Sequence, residues 1–278
     1  MENATEDFGK VVIYTVICGK YDILKKPKVI NSRFEYICFT DQKIKEGGVW
    51  EIKPLATNMI NPILTNRFHK MHPHILFPKY SYSVYIDGNI QISGSHLYNR
   101  VTELIKSKAV LSMVTHPSRE CVYEEARICS HHRKDKAFRI WKYFLFLKKN
   151  RYPQNKGLIE ASVIFRKHHQ GTVIQLMEQW WRLLNKYSHR DQLSLPYVLW
   201  NNKISYIPFF KRKGDNVRKN SGYAHFPHTV RKKHRSKILK LVSLVVPVSS
   251  WRKRIRRFNI NSALTEVLFK KWFLDKKT

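Results

Sequence analysis

The sequence predicts an α/β fold in which helices cover a β-sheet. Apolar, β-branched runs alternate along the chain with segments of helical period, and this alternation is typical of layered α/β domains. A chain of 278 residues with 43% hydrophobic content is also long enough to bury one large core.

Apolar runs predict five strands, of which the first is the clearest. The stretch KVVIYTVICG is continuously apolar and ends at Gly19, as expected for a strand buried on both faces of a parallel sheet. The second strand ends at Asp41, and the third runs into the turn Asp87-Gly88-Asn89. The five predicted strands lie within residues 10–19, 34–41, 82–92, 108–116 and 160–167.

Helical period appears in four segments between and after these strands. Residues 138–150 and 172–188 predict helices, and residues 190–202 begin with a helical turn. Residues 63–77 have a mixed helical period that Pro73 interrupts, because proline has no backbone N–H to continue a helix.

The positive charge is concentrated towards the C-terminus. The chain has a formal net charge of +32, and residues 211–278 hold 20 Lys and Arg against 3 Asp and Glu, more than half of the excess. We therefore divide the chain into a folded domain, residues 1–210, and a basic extension, residues 211–278.

Within the extension, residues 231–278 mix basic with apolar side chains at helical spacing. Basic amphipathic helices of this kind suit the surface of an anionic membrane. The alternative is that they pack on the domain and leave a solvated basic face. Binding to nucleic acid is not expected, because the chain has no recognised nucleic-acid-binding motif.

Cysteine usage and hydropathy favour a cytoplasmic protein, and the basic segment 231–278 adds peripheral association with the inner face of the membrane. The cysteines Cys18, Cys38, Cys121 and Cys129 form no CxxC pair, which predicts reduced thiols and neither a disulfide framework nor a zinc site. No apolar run approaches the roughly 18 residues of a spanning helix.

Polar residues follow three of the predicted strands, at Gly19–Asp22, Asp41 and Asp87-Gly88-Asn89. Ligands of open α/β sheets bind outside the carboxyl ends of the strands, so these residues are expected to share one crevice. Asp87 and Asn89 could present two oxygen ligands to Mn²⁺ or Mg²⁺. The alternative is an ordinary turn.

Several stretches in ordered succession resemble one family. VVIYTVICGKYD, EYICFTD, NPILTNRFHKMHPHILFPKYSYSVYIDGNIQI, HPSRECVYEEA, GLIEASVIFRKH and SHRDQLSLPYVLW are similar to a family of bacterial and plant glycosyltransferase-like domains, over about residues 10–208. The resemblance implies a GT-A-like, Rossmann-like mixed sheet. It also implies transfer of a sugar from a nucleotide-sugar donor to a glycan or lipid-linked acceptor. The basic tail lies outside this resemblance and is similar to the C-terminal tails of bacterial enzymes that build capsule or lipopolysaccharide, which implies a role in that synthesis.

The resemblance also places residues on the donor. Asp87-Gly88-Asn89 takes the place of a D-x-D motif that holds a cation on the diphosphate, and Asn89 departs from it because many relatives have a carboxylate there. Arg67 and Lys70, spaced to share a helix face, are expected to contact phosphate. The remaining predicted donor contacts are Tyr21, Asp22, Asp41, Arg119, Glu124 and Gln192.

For the acceptor side, Asp191 is the first candidate to receive the proton of the attacking hydroxyl or to stabilise an oxocarbenium-like transition state, and Glu160 is the second. The alternatives are a helix cap for Asp191 and an ion pair for Glu160. His225 and His228 lie after the matched stretches, where some GT-A enzymes place a third metal ligand; otherwise they are surface histidines.

Two other classes of function remain open at this level. One is a metal-independent hydrolase of glycosidase or ceramidase type, since carboxylates that flank a sugar also serve glycoside cleavage. The other is a non-catalytic protein that binds a membrane surface. The donor sugar, the nucleotide, the stereochemical outcome and the oligomeric state are not readable from the sequence.

Overall fold

A computed structural model describes residues 9–229 as nine strands and seven helices. The predicted amphipathic helices of residues 231–278 lie outside the described residues. The strands are β1 Val11–Ile17, β2 Phe34–Thr40, β3 Glu51–Lys53, β4 Tyr82–Ile86, β5 Ile90–Ile92, β6 Leu111–Thr115, β7 Ile159–Arg166, β8 Ile207–Pro208 and β9 Tyr223–His225. The helices are α1 Pro62–Met71, α2 Pro73–Leu76, α3 His96–Lys106, α4 Val122–His131, α5 Ala137–Lys149, α6 Gly171–Lys186 and α7 Asp191–Asn201.

Seven of the strands form one mixed sheet in the order β3-β2-β1-β4-β7-β6-β8. β1 lies parallel to β2 and to β4, whereas β7 is antiparallel to both of its neighbours, β4 and β6. Every residue of β1 is buried, as its continuous apolar run predicts. The predicted α/β class, with a mixed sheet flanked by helices, is confirmed.

The sheet separates two apolar cores. Val12, Tyr14 and Val16 of β1 pack in the first core, which also holds the buried faces of α4, α5, α6 and α7. The alternate residues Val11 and Ile13 pack in the second core with α3. Because successive side chains of a strand point to opposite faces, α3 and α5 lie on opposite sides of the sheet.

All five predicted strands and the helices within residues 138–150 and 172–188 are present. Pro73 separates α1 from α2, as predicted, and Asn61 caps α1 by accepting from the Ile63 N–H at 3.0 Å. The helical turn predicted at the start of residues 190–202 is present, and the helix it begins, α7, continues for 11 residues and includes Pro196.

Residues 211–229 pack back on the sheet domain. β9 pairs antiparallel with β5, and the Phe226 N–H donates to the Asn89 carbonyl at 2.9 Å. The predicted division at residue 210 is a boundary in composition, and the chain continues across it without leaving the domain. Within residues 9–229, no helix is long and apolar enough to cross a membrane.

Candidate active site

A cavity of about 280 Å³ opens at the carboxyl ends of β1 and β4, between the starts of α1 and α7. This is the edge at which the sequence predicts a crevice. Ten of the predicted site residues line it: Tyr21, Asp22, Arg67, Asp87, Asn89, Glu160, Asp191, Gln192, His225 and His228.

Four predicted site residues do not line the cavity. Asp41 accepts hydrogen bonds from the Gly19 N–H at 2.8 and 2.9 Å and so holds the loop after β1. Arg119 is bound to the buried Glu125 at 2.6 Å, and Glu124 lies beside Glu125 in the first turn of α4. The fourth is Lys70.

Lys70 is buried beneath the cavity, with its side chain 1% exposed. Its ammonium group lies 2.7 Å from Asp191 Oδ2 and 3.6 Å from Asp87 Oδ1. The completely buried Arg166 donates to the Lys70 carbonyl at 2.6 Å and fixes the backbone there. Lys70 therefore pairs with both Asp191 and Asp87 beneath the cavity. It could contact a ligand only by breaking these two ion pairs.

Asp191 is held as a carboxylate at the start of α7. Burial alone would raise its pKa, but the positive charges of Arg67, Lys70 and Arg190 together keep the pKa of Asp191 well below its usual range. A group that stays ionised is a poor proton acceptor. Its permanent negative charge suits the other predicted role, which is to stabilise a positively charged transition state.

Asp87, Asn89 and His225 meet where β5 pairs with β9. The Asn89 amide Nδ2 lies 3.3 Å from His225 Nε2 and donates to the Phe226 carbonyl at 2.8 Å. Tyr85 and Lys70 both approach Asp87 at Oδ1. Burial, more than the neighbouring charges, lowers the pKa of His225, so its neutral ring has a lone pair available at neutral pH.

These donors fit a divalent cation that arrives with a diphosphate. Among the residues described, no three His, Cys, Asp or Glu side chains are arranged as a metal site. A cation here would take Asp87, the Asn89 amide and His225 from the protein, and the rest of its ligands from substrate phosphates and water, as Mg²⁺ commonly does. A tightly bound resident metal does not fit.

His228 and Glu160, the remaining metal-ligand and catalytic candidates, each contact a partner of their own. His228 Nδ1 lies 2.8 Å from Asp22 Oδ1, and its ring packs on the ring of Tyr21. Glu160 accepts from Arg218 Nη1 at 2.7 and 2.9 Å. Both contacts join the segment after residue 211 to the cavity wall.

Several basic residues of the cavity were not predicted from the sequence, including Lys134, Arg190 and Arg218. Arg190 is the most notable, since its Nη2 donates to Gln192 at 3.1 Å while its buried Nε has no hydrogen-bond partner among the described residues. The Nε of Arg67 is in the same condition. Arg190 directly precedes Asp191 in HRDQLS, and this position could have marked it as a site residue. In so basic a chain, however, a basic neighbour of an acid is not distinctive.

Comparisons with known proteins match a family model and a number of solved structures. A family model described as TOD1/MUCI70, glycosyltransferase-like domain matches residues 2–213. No curated protein matches the chain. Among solved structures, the apo structure of the WbbM bifunctional glycosyltransferase is similar at 9% identity and a TM-score of 0.39, over 76% of this chain and 40% of that chain. The present chain therefore spans well under half the length of that protein.

Proposed function

The chain belongs to the TOD1/MUCI70 glycosyltransferase-like family, and from this membership we propose that it transfers a sugar from a nucleotide-sugar donor to a glycan or lipid-linked acceptor. The observation that carries the proposal is the meeting of Asp87, Asn89 and His225 in a cavity that also holds the basic side chains of Arg67 and Arg190. Such a site presents both cation ligands and cations to a diphosphate.

The donor lies with its nucleoside towards Tyr21 and Asp22, at the end of β1. Its diphosphate lies between the cation ligands and the guanidinium groups of Arg67 and Arg190, which line the cavity and can donate to phosphate oxygens. A bound Mn²⁺ or Mg²⁺ would offset the negative charge on the nucleoside diphosphate as it leaves. The positive charges of Arg67 and Arg190 would offset the same negative charge.

In the transfer, the bond from the anomeric carbon to the diphosphate breaks and a bond from that carbon to an acceptor hydroxyl oxygen forms. The hydroxyl releases one proton, which Glu160 accepts. Asp191, kept ionised by Lys70 and Arg67, stabilises the positive charge that develops on the sugar. Glu160 acts on the acceptor side of the cavity, where Arg218 holds it in place.

We place this reaction in the synthesis of surface polysaccharide, capsule or lipopolysaccharide, at the cytoplasmic face of the membrane. The basic segment 231–278 is proposed to bind anionic lipid there. What supports this is the family membership together with the charge of the segment.

The test is a calorimetric titration of the full chain with nucleoside diphosphates and nucleotide sugars, with and without Mn²⁺. Tight binding of one nucleotide only with metal present is expected. The control variant is Arg182→Met, which removes an exposed cation of α6 and should bind as the wild type does. If the folded protein binds none of these ligands, the transferase proposal fails, and a hydrolase that needs no donor becomes the better explanation.

A further inference from the structure

Helix α5 has an outer face of unusual composition. Its buried side consists of Ile140, Tyr143, Phe144 and Leu147. Its exposed residues are Phe138, Lys142, Leu145 and Lys149, which are spaced i, i+4, i+7 and i+11 and therefore lie along one stripe of the helix. Phe138 is 70% and Leu145 49% exposed.

The charge of this stripe has one sign. The 13 residues of α5 contain four Lys or Arg and no acid. The loop that leads into the helix adds the exposed Lys134 and Lys136 and a single acid, Asp135. Two large apolar side chains separated by lysines, without any carboxylate, match an anionic bilayer surface, where apolar groups enter the lipid and lysines reach the head groups.

Phe138, the first residue of the stripe, is followed in the chain by a residue that contacts the cavity wall. Arg139, next to Phe138, lies 3.1 Å from the ring nitrogens of His189, a cavity residue. The same ring lies 3.1 Å from the Asn61 side chain. Asn61 stands between Ile60, which is fully exposed, and Ile63, which lines the mouth. Exposed apolar residues of α5 and of the segment at the start of α1 therefore lie beside residues that contact the cavity residue His189.

We propose that Phe138, Lys142, Leu145 and Lys149 of α5, together with Ile60 and Ile63, form a docking surface for an anionic membrane, with the cavity mouth at the lipid surface. The occupant is the bilayer itself, because a protein partner would have to supply acids against every lysine and apolar side chains between them. This surface belongs to the folded domain and is separate from the segment 231–278. Docking there would bring a lipid-linked hydroxyl to the cavity without lifting it from the membrane.

The experiment measures depth at single positions, so that binding by the segment 231–278 is not mistaken for docking. The environment-sensitive dye NBD is attached to Leu145→Cys in the full chain and, as control, to Lys106→Cys on α3, on the other side of the sheet. The four natural cysteines are buried, and labelled wild type gives the background. No donor or acceptor is present, so the result is independent of the transferase proposal.

With vesicles that contain phosphatidylglycerol, we expect a blue shift and a rise in emission for the dye at position 145 but none at position 106. Pure phosphatidylcholine vesicles should give little change at either. Adding Lys142→Glu and Lys149→Glu to the labelled protein should weaken the response by on the order of 10-fold or more. An unchanged signal at position 145 on anionic vesicles would overturn the proposal. So would a shift that rises with protein concentration in the absence of lipid, since a second copy of the chain would then cover the face.

Discussion

Replacing Lys70 with methionine tests the ion pair beneath the cavity. The change keeps the apolar length of the side chain and removes the charge that lies 2.7 Å from Asp191. Both side chains are buried, at 1% and 7% exposure, so Asp191 loses a partner that water cannot replace. Removing one member of a buried pair costs about 3–5 kcal/mol. Because Arg67 remains 3.5 Å from the same oxygen, we expect about 3 kcal/mol.

The loss is measured by urea denaturation, with the exposed Lys106→Met as the matched control. In a chain of this size, about 3 kcal/mol corresponds to a fall in Tm of about 6–12 °C. The double variant Lys70→Met with Asp191→Asn should lose clearly less than the sum of the two single variants, because each change removes the same pair. Additive losses, or a loss under about 1 kcal/mol for Lys70→Met, would refute the pairing.

The pH dependence has a definite sign. In the wild type, the pKa of folded Asp191 lies below its unfolded value, so its contribution to stability is present above the unfolded pKa and is lost as the pH falls through the folded pKa. Without Lys70, the pKa of folded Asp191 rises, and a proton then relieves the unpaired charge. The difference in free energy of unfolding between wild type and variant should therefore be smaller at about pH 4 than at about pH 7. A difference that grows on acidification would contradict this.

Four further predictions follow from the site. Asp87→Ala should abolish the part of nucleotide affinity that depends on Mn²⁺ in a variant that still folds, with some loss of thermal stability because Asp87 contacts Lys70 and Tyr85; unchanged affinity in the calorimeter would rule out the metal role. Arg190→Met should weaken nucleotide binding by about 10-fold or more with or without metal, since a charge-assisted hydrogen bond contributes about 1.5–3 kcal/mol. Glu160→Gln should lower kcat more than it changes KM, measured once a donor and an acceptor are known. A change in KM alone would mean that Glu160 only holds Arg218 in place. Deleting residues 231–278 should reduce sedimentation with anionic vesicles, and full retention would exclude that segment as an anchor.

The strands and the cavity edge were predictable because they depend on local pattern. A strand that is buried on both faces needs continuous apolar residues, so the unbroken apolar run of β1 predicts one. The acids at the strand ends are likewise visible in the local sequence. The helices α3 and α4 were missed. Their apolar faces are interrupted by polar residues that are buried only in the tertiary structure, such as Arg100, which donates to the Phe209 carbonyl at 2.9 Å.

The roles of charged residues were the least predictable. The spacing of Arg67 and Lys70 indicated a shared helix face and two phosphate contacts, yet Arg67 lines the cavity while Lys70 is buried under it. The difference depends on Asp191, 121 residues further along the chain, and no local pattern reports such a partner. Arg218 was missed for the same reason, because its contact with Glu160 spans 58 residues.

The pairing of β5 with β9 sets the order in which the site is completed during synthesis. Asn89 leaves the ribosome long before His225, and 136 residues separate the two side chains that meet in the cavity. Strands β1 to β7 are complete by residue 166, whereas the wall formed by Arg218, His225 and His228 is translated later. A nascent chain that stops near residue 210 therefore has its sheet but only part of its cavity, and an expression fragment cut at that compositional boundary would fold around an unfinished site.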